Sequence, residues 1–582
     1  MPVLTVEKGG YILKYSNLTG RFIRKAMRMP VNDTQERIHL RIQNMAPFCL
    51  ITGKRGGASM DRKLPIGIQG FEKLRTDGFI YVDKTDYIYQ LVHNNVPYFL
   101  SRPGRFGKSL LLSAMKAYWE GKKELFQGLR IELLERYNKD AWKPYPVFYF
   151  DFNGVNYQQP GALEEALTIH LKRWEKQFGC IESDTTLSAR FQNLLIHARE
   201  TTGLRSVVLV DEYDKPLLDV IENNTLQKDN KQILKGFFGT LKSFDEYIQF
   251  IFITGVSKFH KVSIFSDLNQ LKDISLTKKY AGICGITGEE LEHTFSHELQ
   301  EIAREQGLST RNCLELLRKT YDGYRFHPDG VSLYNPYSLL NAFSDCEFGS
   351  YWFETGTPSF LVKKLRENHF DPRSLSDRTL YADESTLKDY TGDSLDPVSL
   401  LYQTGYLTIV DYDSRRRRYT LSFPNEEVKY GFLSSLVPYY VPAATAGNKL
   451  DIFTLDEYIE NGQLDQIRDV LKALFANITY SAGSDPFEHY FQSVIYLVFT
   501  LLGKYALCEM HTFSGRIDCK VETRDYIYLF EFKRDDTAAS ALAQINTKEY
   551  ALPFLADGRK LFKVGVSFDS ETRKLVGWET EE

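Results

Sequence analysis

The short apolar run Val96 to Ser101 ends directly in Arg102-Pro-Gly-Arg-Phe-Gly-Lys-Ser109, and a second apolar stretch, Leu110 to Trp119, follows at once. A buried strand, a glycine-bearing turn and a helix in that order form the context of a phosphate-binding loop, and they commit the surrounding chain to strands alternating with helices. Gly104 and Gly107 remove side chains where backbone N–H groups must wrap phosphate oxygens, with Arg105 between them. Lys108 supplies positive charge to the β- and γ-phosphates of ATP, Ser109 offers a hydroxyl to Mg2+, and the next helix turns its N-terminus to the anion. Arg102 stands where the first glycine of G-x-x-x-x-G-K-[ST] is usual, so the loop must begin differently.

The alternation continues downstream. Pro146 to Phe152, Val207 to Val210 and Ile248 to Thr254 read as buried strands, and Ala162 to Gln177 and Asn230 to Phe244 as helices. The fold class is therefore α/β, a parallel sheet with helices on both faces. Val207-Val-Leu-Val-Asp211-Glu212 ends a strand in two adjacent carboxylates. Asp211 would hold Mg2+ directly or through water, and Glu212 would orient and deprotonate the attacking water. A strand capped by an acidic turn looks the same, but the order after Lys108 favours the catalytic reading. Thr254 ends a third strand and would sit beside the γ-phosphate.

A chain of 582 residues exceeds one hydrophobic core. Its net charge of -4 excludes a non-specific coat on nucleic acid, while leaving room for a local basic groove. Seven scattered cysteines without a Cys-x-x-Cys pair fit reduced thiols in cytoplasm and offer no zinc site. No run approaches the roughly 20 apolar residues that cross a membrane, and no secretory signal opens the chain. Residues 1–63 are rich in Arg and Lys and weakly periodic. They are expected as a disordered extension or sequence upstream of the natural start, with a basic nucleic-acid arm as the alternative. Residues 64–285 form the nucleotide domain, and 286–441 a mainly helical middle region. That region holds a hairpin, Tyr406 to Asp411 with Tyr419 to Phe423, whose tip is Ser414 and four arginines. Pro442 to Asn448 reads as a linker before a last domain, 449–582.

The last domain carries a second constellation. Gly515-Arg-Ile-Asp518 leads into a strand, and Tyr526 to Lys533 alternates so that Glu531 and Lys533 share a face. A hairpin between the two stretches brings Asp518 beside them. Two carboxylates and a lysine on one face are costly unless a cation or a charged substrate binds there. Asp518 and Glu531 would hold Mg2+, and Lys533 would orient the water and stabilise developing charge during phosphodiester hydrolysis. Glu488, on the preceding helix, could add a metal ligand, and Gln544, on the next helix, could order the water or a phosphate.

Leu64-Pro-Ile-Gly-Ile, Tyr81-Val-Asp-Lys-Thr85, the loop from Arg102 to Ser109, Asp211-Glu-Tyr-Asp214, Thr254 to Phe259, Tyr321-Asp-Gly-Tyr-Arg-Phe326 and Tyr334-Asn-Pro336 resemble the AAA-ATPase-like family of prokaryotes. That family typically carries Arg at the position of Arg102 and begins near the Leu-Pro-Ile-Gly segment. Arg325 is then either a γ-phosphate sensor or a structural arginine in a turn. Residues 452–568 resemble the PD-(D/E)XK nuclease domain usually found behind the same ATPase module, a restriction-endonuclease-like α/β fold. The resemblance implies an ATP-dependent or ATP-regulated, Mg2+-dependent DNA nuclease, and AAA-like modules often assemble as homo-oligomers. Two other readings stay open: a signalling or defence switch whose output is the nuclease, and a nucleotide-binding protein without nuclease activity.

Overall fold

The computed structural model describes residues 3–7, 10–16, 22–23, 62–353 apart from 95, 182–184, 259–260, 266–267 and 269, then 361, 365, 375, 380–388, 397–440, 452–476, 487–501, 505–512, and 515–582 apart from 573. The chain divides into Met1–Arg62 and Lys63–Glu582. In the first unit β1 (Val3–Glu7), β2 (Gly10–Ser16) and β3 (Phe22–Ile23) pair antiparallel in that order. The charge-rich reading of residues 1–63 does not anticipate these short strands.

The second unit includes, in chain order, α1 (Thr85–Val92), β4 (Tyr98–Ser101), α2 (Lys108–Trp119) and β5 (Val147–Asp151). There follow α3 (Ala162–Phe178), α4 (Leu187–Thr202), β6 (Ser206–Asp211), α5 (Asn224–Phe238), β7 (Ile248–Gly255) and the two-residue β8 (Lys272–Asp273). The sheet runs β5-β6-β7-β4-β8 with every neighbouring pair parallel. Strands β4 to β7 are largely apolar because both faces are covered. Val208, Val210, Ile251 and Ile253 enter one core with α3, α4 and α5, whereas Val207, Leu209, Phe250 and Phe252 enter another with α2. This is the two-residue period of a strand read out in packing. The expected strands all form. α5 starts at Asn224 rather than Asn230, since the Asn223 side chain caps it by accepting the Leu226 N–H at 3.1 Å.

Four helices, α6 (Gly288–Thr294), α7 (Ser296–Glu305), α8 (Thr310–Tyr321) and α9 (Pro336–Asp345), build a separate core on which Leu64, Ile66, Ile80 and Val82 also pack. Beyond them come β9 (Leu380–Asp383), α10 (Pro397–Thr404), β10 (Thr408–Asp413), β11 (Arg418–Ser422) and α11 (Glu426–Tyr440). The expected hairpin is β10–β11, and β9 adds a third antiparallel strand beside β11. Arg415, Arg416 and Arg417 are exposed at its tip. The linker Pro442 to Asn448 lies outside the described residues.

The C-terminal part contains α12 (Ile452–Glu460), α13 (Leu464–Ala476), α14 (Phe487–Leu501), β12 (Tyr505–Thr512), β13 (Gly515–Glu522), β14 (Tyr526–Arg534), α15 (Ala538–Thr547), β15 (Lys560–Phe568) and β16 (Leu575–Glu581). Its sheet runs β12 to β16 in chain order; only β14–β15, joined through α15, is parallel. A single buried core reaches from Leu112 of α2 through Leu401, Phe432 and Val498 to Phe530 and Val564. No described helix is long and apolar enough to cross a membrane.

Gly323, within Tyr321-Asp-Gly-Tyr-Arg-Phe326, shows why that motif tolerates no side chain at its centre. Its φ is +106°, and a Cβ there would lie 1.9 Å from the Pro424 carbonyl oxygen. Gly323→Ala should therefore lower the unfolding free energy by more than about 3 kcal/mol, measured by urea denaturation.

Candidate functional site

The loop between β4 and α2 starts on a buried charge. Arg102 is 1% exposed, and its guanidinium donates to the carbonyls of Ser101 (2.9 Å), Ser275 (2.8 Å) and Tyr280 (3.1 Å) while lying 3.9 Å above the Phe326 ring. The residue that replaces glycine is thus a clamp on the loop's first turn. Its backbone N–H donates to Gly255 O at 3.2 Å, tying the loop to the end of β7. The other end needs glycine: Gly107 has φ +90° where it caps α2. Arg105 also takes a left-handed backbone, φ 65°, and its guanidinium stacks 4.1 Å from the Tyr337 ring.

Lys108 is buried, donates to the Pro103 carbonyl at 3.2 Å and lies 3.9 Å from Glu212 Oε1. Glu212 follows β6 with φ 51°, a left-handed conformation costing on the order of 1 kcal/mol in a non-glycine residue. Burial raises the affinity of Glu212 for a proton; the Lys108 charge opposes this, while Asp214 and Asp211 add to it. Asp211 accepts from the Thr254 hydroxyl at 2.7 Å and the Tyr149 hydroxyl at 3.2 Å. Asp214 accepts from the Ser257 N–H (2.7 Å) and hydroxyl (2.6 Å). The end of β7 and the residues just after it therefore hold both aspartates of the Asp-Glu-Tyr-Asp motif in place.

A cavity of about 340 Å3 begins at Gly104, Arg105, Gly107, Lys108, Ser109 and Glu212. It continues between Pro65–Gln69 with Ile80–Val82 on one side and Ile286, Phe295, Tyr337 and Leu340 on the other. The first part suits phosphates and the second, largely apolar, suits a base and sugar. Lys84, also in the wall, is fixed by Gly282 O (2.9 Å) and Glu290 (2.7 Å). Thr254 does not line this cavity; its hydroxyl is spent on Asp211. Nor does Arg325, whose backbone N–H donates to the Thr408 hydroxyl at 2.6 Å and whose charge acts on Asp322. The base slot was not recoverable from sequence, because its walls come from segments more than two hundred residues apart. The Leu-Pro-Ile-Gly segment, Tyr81 to Thr85 and Tyr334 to Pro336 were its visible traces.

The C-terminal constellation forms where two strands part. The β13–β14 ladder ends at Cys519 opposite Phe530, and beyond it the Asp518 carboxylate, not a backbone carbonyl, accepts the Phe532 N–H at 2.8 Å. Glu531 is 2% exposed, and its Oε2 has no hydrogen-bond partner among the described residues. Burial first, and then the Asp518 charge, push its carboxyl up to about 8, against the pull of Lys533, the Asp518 N–H and Gln544. Lys533 lies 3.8 Å from Glu531 Oε1 and donates to Gln544 Oε1 at 2.6 Å, while the Gln544 amide donates to Glu531. Gln544 thus bridges the lysine and the carboxylate. A buried carboxylate oxygen without a donor, beside a second carboxylate, calls for a proton or a cation. Asp518 and Glu531 fit a divalent ion on that ground. No group of three or more His, Cys, Asp and Glu arranged to hold a metal ion is found among the described residues, and the Glu488 side chain lies outside them.

Comparison with known proteins finds both domain families in the chain. Residues 65–265 match the family described as "Predicted AAA-ATPase", and residues 486–578 match the PD-(D/E)XK nuclease superfamily. An "Uncharacterized protein in vnfD 5'region" of Azotobacter chroococcum mcd 1 is 35% identical over 541 residues, spanning 89% of this chain and 99% of that protein.

Glu531 gives a pH-dependent prediction. Its folded value of about 8 exceeds the ordinary carboxyl value of 4.5, so between these limits the folded state keeps a proton that the unfolded chain releases. Stability then falls as pH rises through that window. Glu531→Gln should melt higher than the parent at pH 8 in EDTA, with the gap closing at pH 5; a constant gap would mean Glu531 titrates normally.

Proposed function

The chain belongs to the family of predicted AAA-ATPases and carries a PD-(D/E)XK nuclease superfamily domain at its C-terminal end; from that premise we propose that it is an ATPase whose nucleotide state governs Mg2+-dependent cleavage of DNA. The observation that carries this reading is the buried Asp518–Glu531 pair with its unpartnered oxygen, next to Cys519 and Phe530 of the continuous core that also takes in the P-loop helix.

At the nucleotide site Lys108 would leave Pro103 and Glu212 for the β- and γ-phosphates, with the N–H groups of Gly104 to Ser109 around them. Losing its nearest cation, Glu212 becomes a stronger base toward a water on the γ-phosphate side. Ser109 and Asp211 would complete the metal sphere of the nucleotide. Arg105, stacked on Tyr337, stands at the phosphate end of the cavity. Arg325 serves the architecture, bracing the turn against β10 rather than sensing phosphate.

At the nuclease site Asp518 and Glu531 would hold a divalent ion, which would supply Lewis-acid polarisation of the phosphodiester and a nucleophile at neutral pH. Lys533 then faces the charge that develops on the phosphate. Gln544 keeps the lysine from collapsing onto Glu531, since it takes the ammonium at 2.6 Å while the direct separation stays at 3.8 Å.

Cleavage of plasmid, single-stranded DNA and RNA with Mg2+, with and without ATP, tests the reading. Lys533→Ala should cut at least about 100-fold more slowly than the parent. Lys108→Ala should abolish ATP turnover and the effect of ATP on cutting. A parent that cuts nothing while it turns ATP over would remove the nuclease assignment; cutting of RNA alone would change the substrate.

A further inference from the structure

We infer that the nucleotide state reaches the nuclease sheet through the C-terminal end of α10, with Gln403 and Gly405 as positioning residues. The inference rests on the two-site reading above and specifies its regulation.

Two separate parts of the nucleotide machinery meet at this helix end. The first is the end of β7 with the residues that follow it, where Thr254 holds Asp211 and Ser257 holds Asp214. The next residue, Lys258, donates its backbone N–H to Gln403 Oε1 at 2.8 Å, and both residues are buried. The Gln403 amide is fixed in turn by donating to Ser399 Oγ at 3.2 Å, one turn back. The second is the loop itself. Gly405 has φ +91°, and a Cβ on it would sit 2.6 Å from Pro103 Cβ. Pro103 is the residue whose carbonyl takes the Lys108 ammonium. A phosphate that draws Lys108 away removes that donor from a residue in direct contact with Gly405.

From Gly405 the contacts run on without a gap. The Tyr406 ring packs 4.9 Å from Trp352 and 5.0 Å from Phe432, and the Trp352 N–H donates to Glu427 at 2.8 Å. Phe432 and Glu427 both belong to α11, which packs along α14. Phe499 of α14 lies 5.6 Å from Phe530 of β14. Phe530 precedes Glu531, and it pairs with Cys519, which follows Asp518, at the last rung before the strands part. A close-packed route of this kind transmits displacement rather than absorbing it. The rung it ends on sets the spacing of the two carboxylates.

Hydrogen–deuterium exchange on the full chain, with and without a non-hydrolysable ATP analogue, tests this beside the cleavage assay. In the parent the analogue should slow exchange at residues 101–109 and also at 426–440 and 515–534. Gln403→Ala should keep the first change, shrink the other two at least about threefold, and bring the ratio of cleavage with ATP to that without it toward one. Gln403→Glu, which still offers an oxygen to the Lys258 N–H, should restore both. Gly405→Ala should behave like Gln403→Ala if it folds; the Gln403 pair decides the matter if it does not. Full transmission in Gln403→Ala, or a parent response confined to the loop, overturns the inference. A parent that cuts no DNA defeats the nuclease reading alone, because exchange still reports whether the signal arrives.

Discussion

The buried guanidinium of Arg102 is the interaction on which the nucleotide half depends. A cation taken out of water without a carboxylate partner is expensive. Here carbonyls from Ser101, Ser275 and Tyr280, together with the face of Phe326, replace its hydration. Each charge-assisted bond contributes about 1.5–3 kcal/mol, and a desolvated cation–π contact about 2 kcal/mol. The arrangement works only if β4, the segment after β8 and the turn carrying Phe326 are all in place. One side chain therefore makes the phosphate loop conditional on the middle region having folded, which glycine at that position would not.

The nuclease half solves the opposite problem. Glu531 is buried with too few donors, and its neighbours limit the cost without removing it. Asp518 spends one oxygen on the Phe532 N–H, so the strands are pinned where they separate. Gln544 occupies the space between Lys533 and Glu531, preventing a tight ion pair that would satisfy the carboxylate and disarm the lysine. The Arg102 guanidinium finds three carbonyls and a ring face, whereas Glu531 Oε2 finds no donor among the described residues. That contrast is what distinguishes a clamp such as Arg102 from a site.

Much of this was legible in the sequence, for physical reasons that differ by element. The parallel strands show as unbroken apolar runs because both of their faces are covered, and the loop shows because glycine, lysine and serine have few substitutes around phosphate. Asp518, Glu531 and Lys533 show because strand alternation fixes which side chains share a face. Other features were hidden. The role of Arg102 depends on carbonyls more than 170 positions away, at Ser275 and Tyr280. Thr254 reads as a phosphate contact by position, yet its hydroxyl turns to Asp211, a choice made by sheet register. Strand β8 has two residues and no pattern to read. The start of α5 was missed because its first turns are polar and only the Asn223 cap marks them.

The continuity of the core also limits how the two sites can communicate. Domains that meet across a small polar interface swing against each other, and a bound ligand then acts by closing a cleft. Here Leu401, Tyr406, Phe432 and Phe530 belong to one buried cluster, so a swing would have to break dense apolar packing. What such a body can do cheaply is shift one packed element by a fraction of a side chain. A shift of that size is negligible for the cavity of about 340 Å3 beside the loop. At the parting of β13 and β14 it is large, because two carboxylates that are to share one cation would tolerate only small errors in spacing. The site most sensitive to small displacement thus sits where small displacements are all that the fold can send.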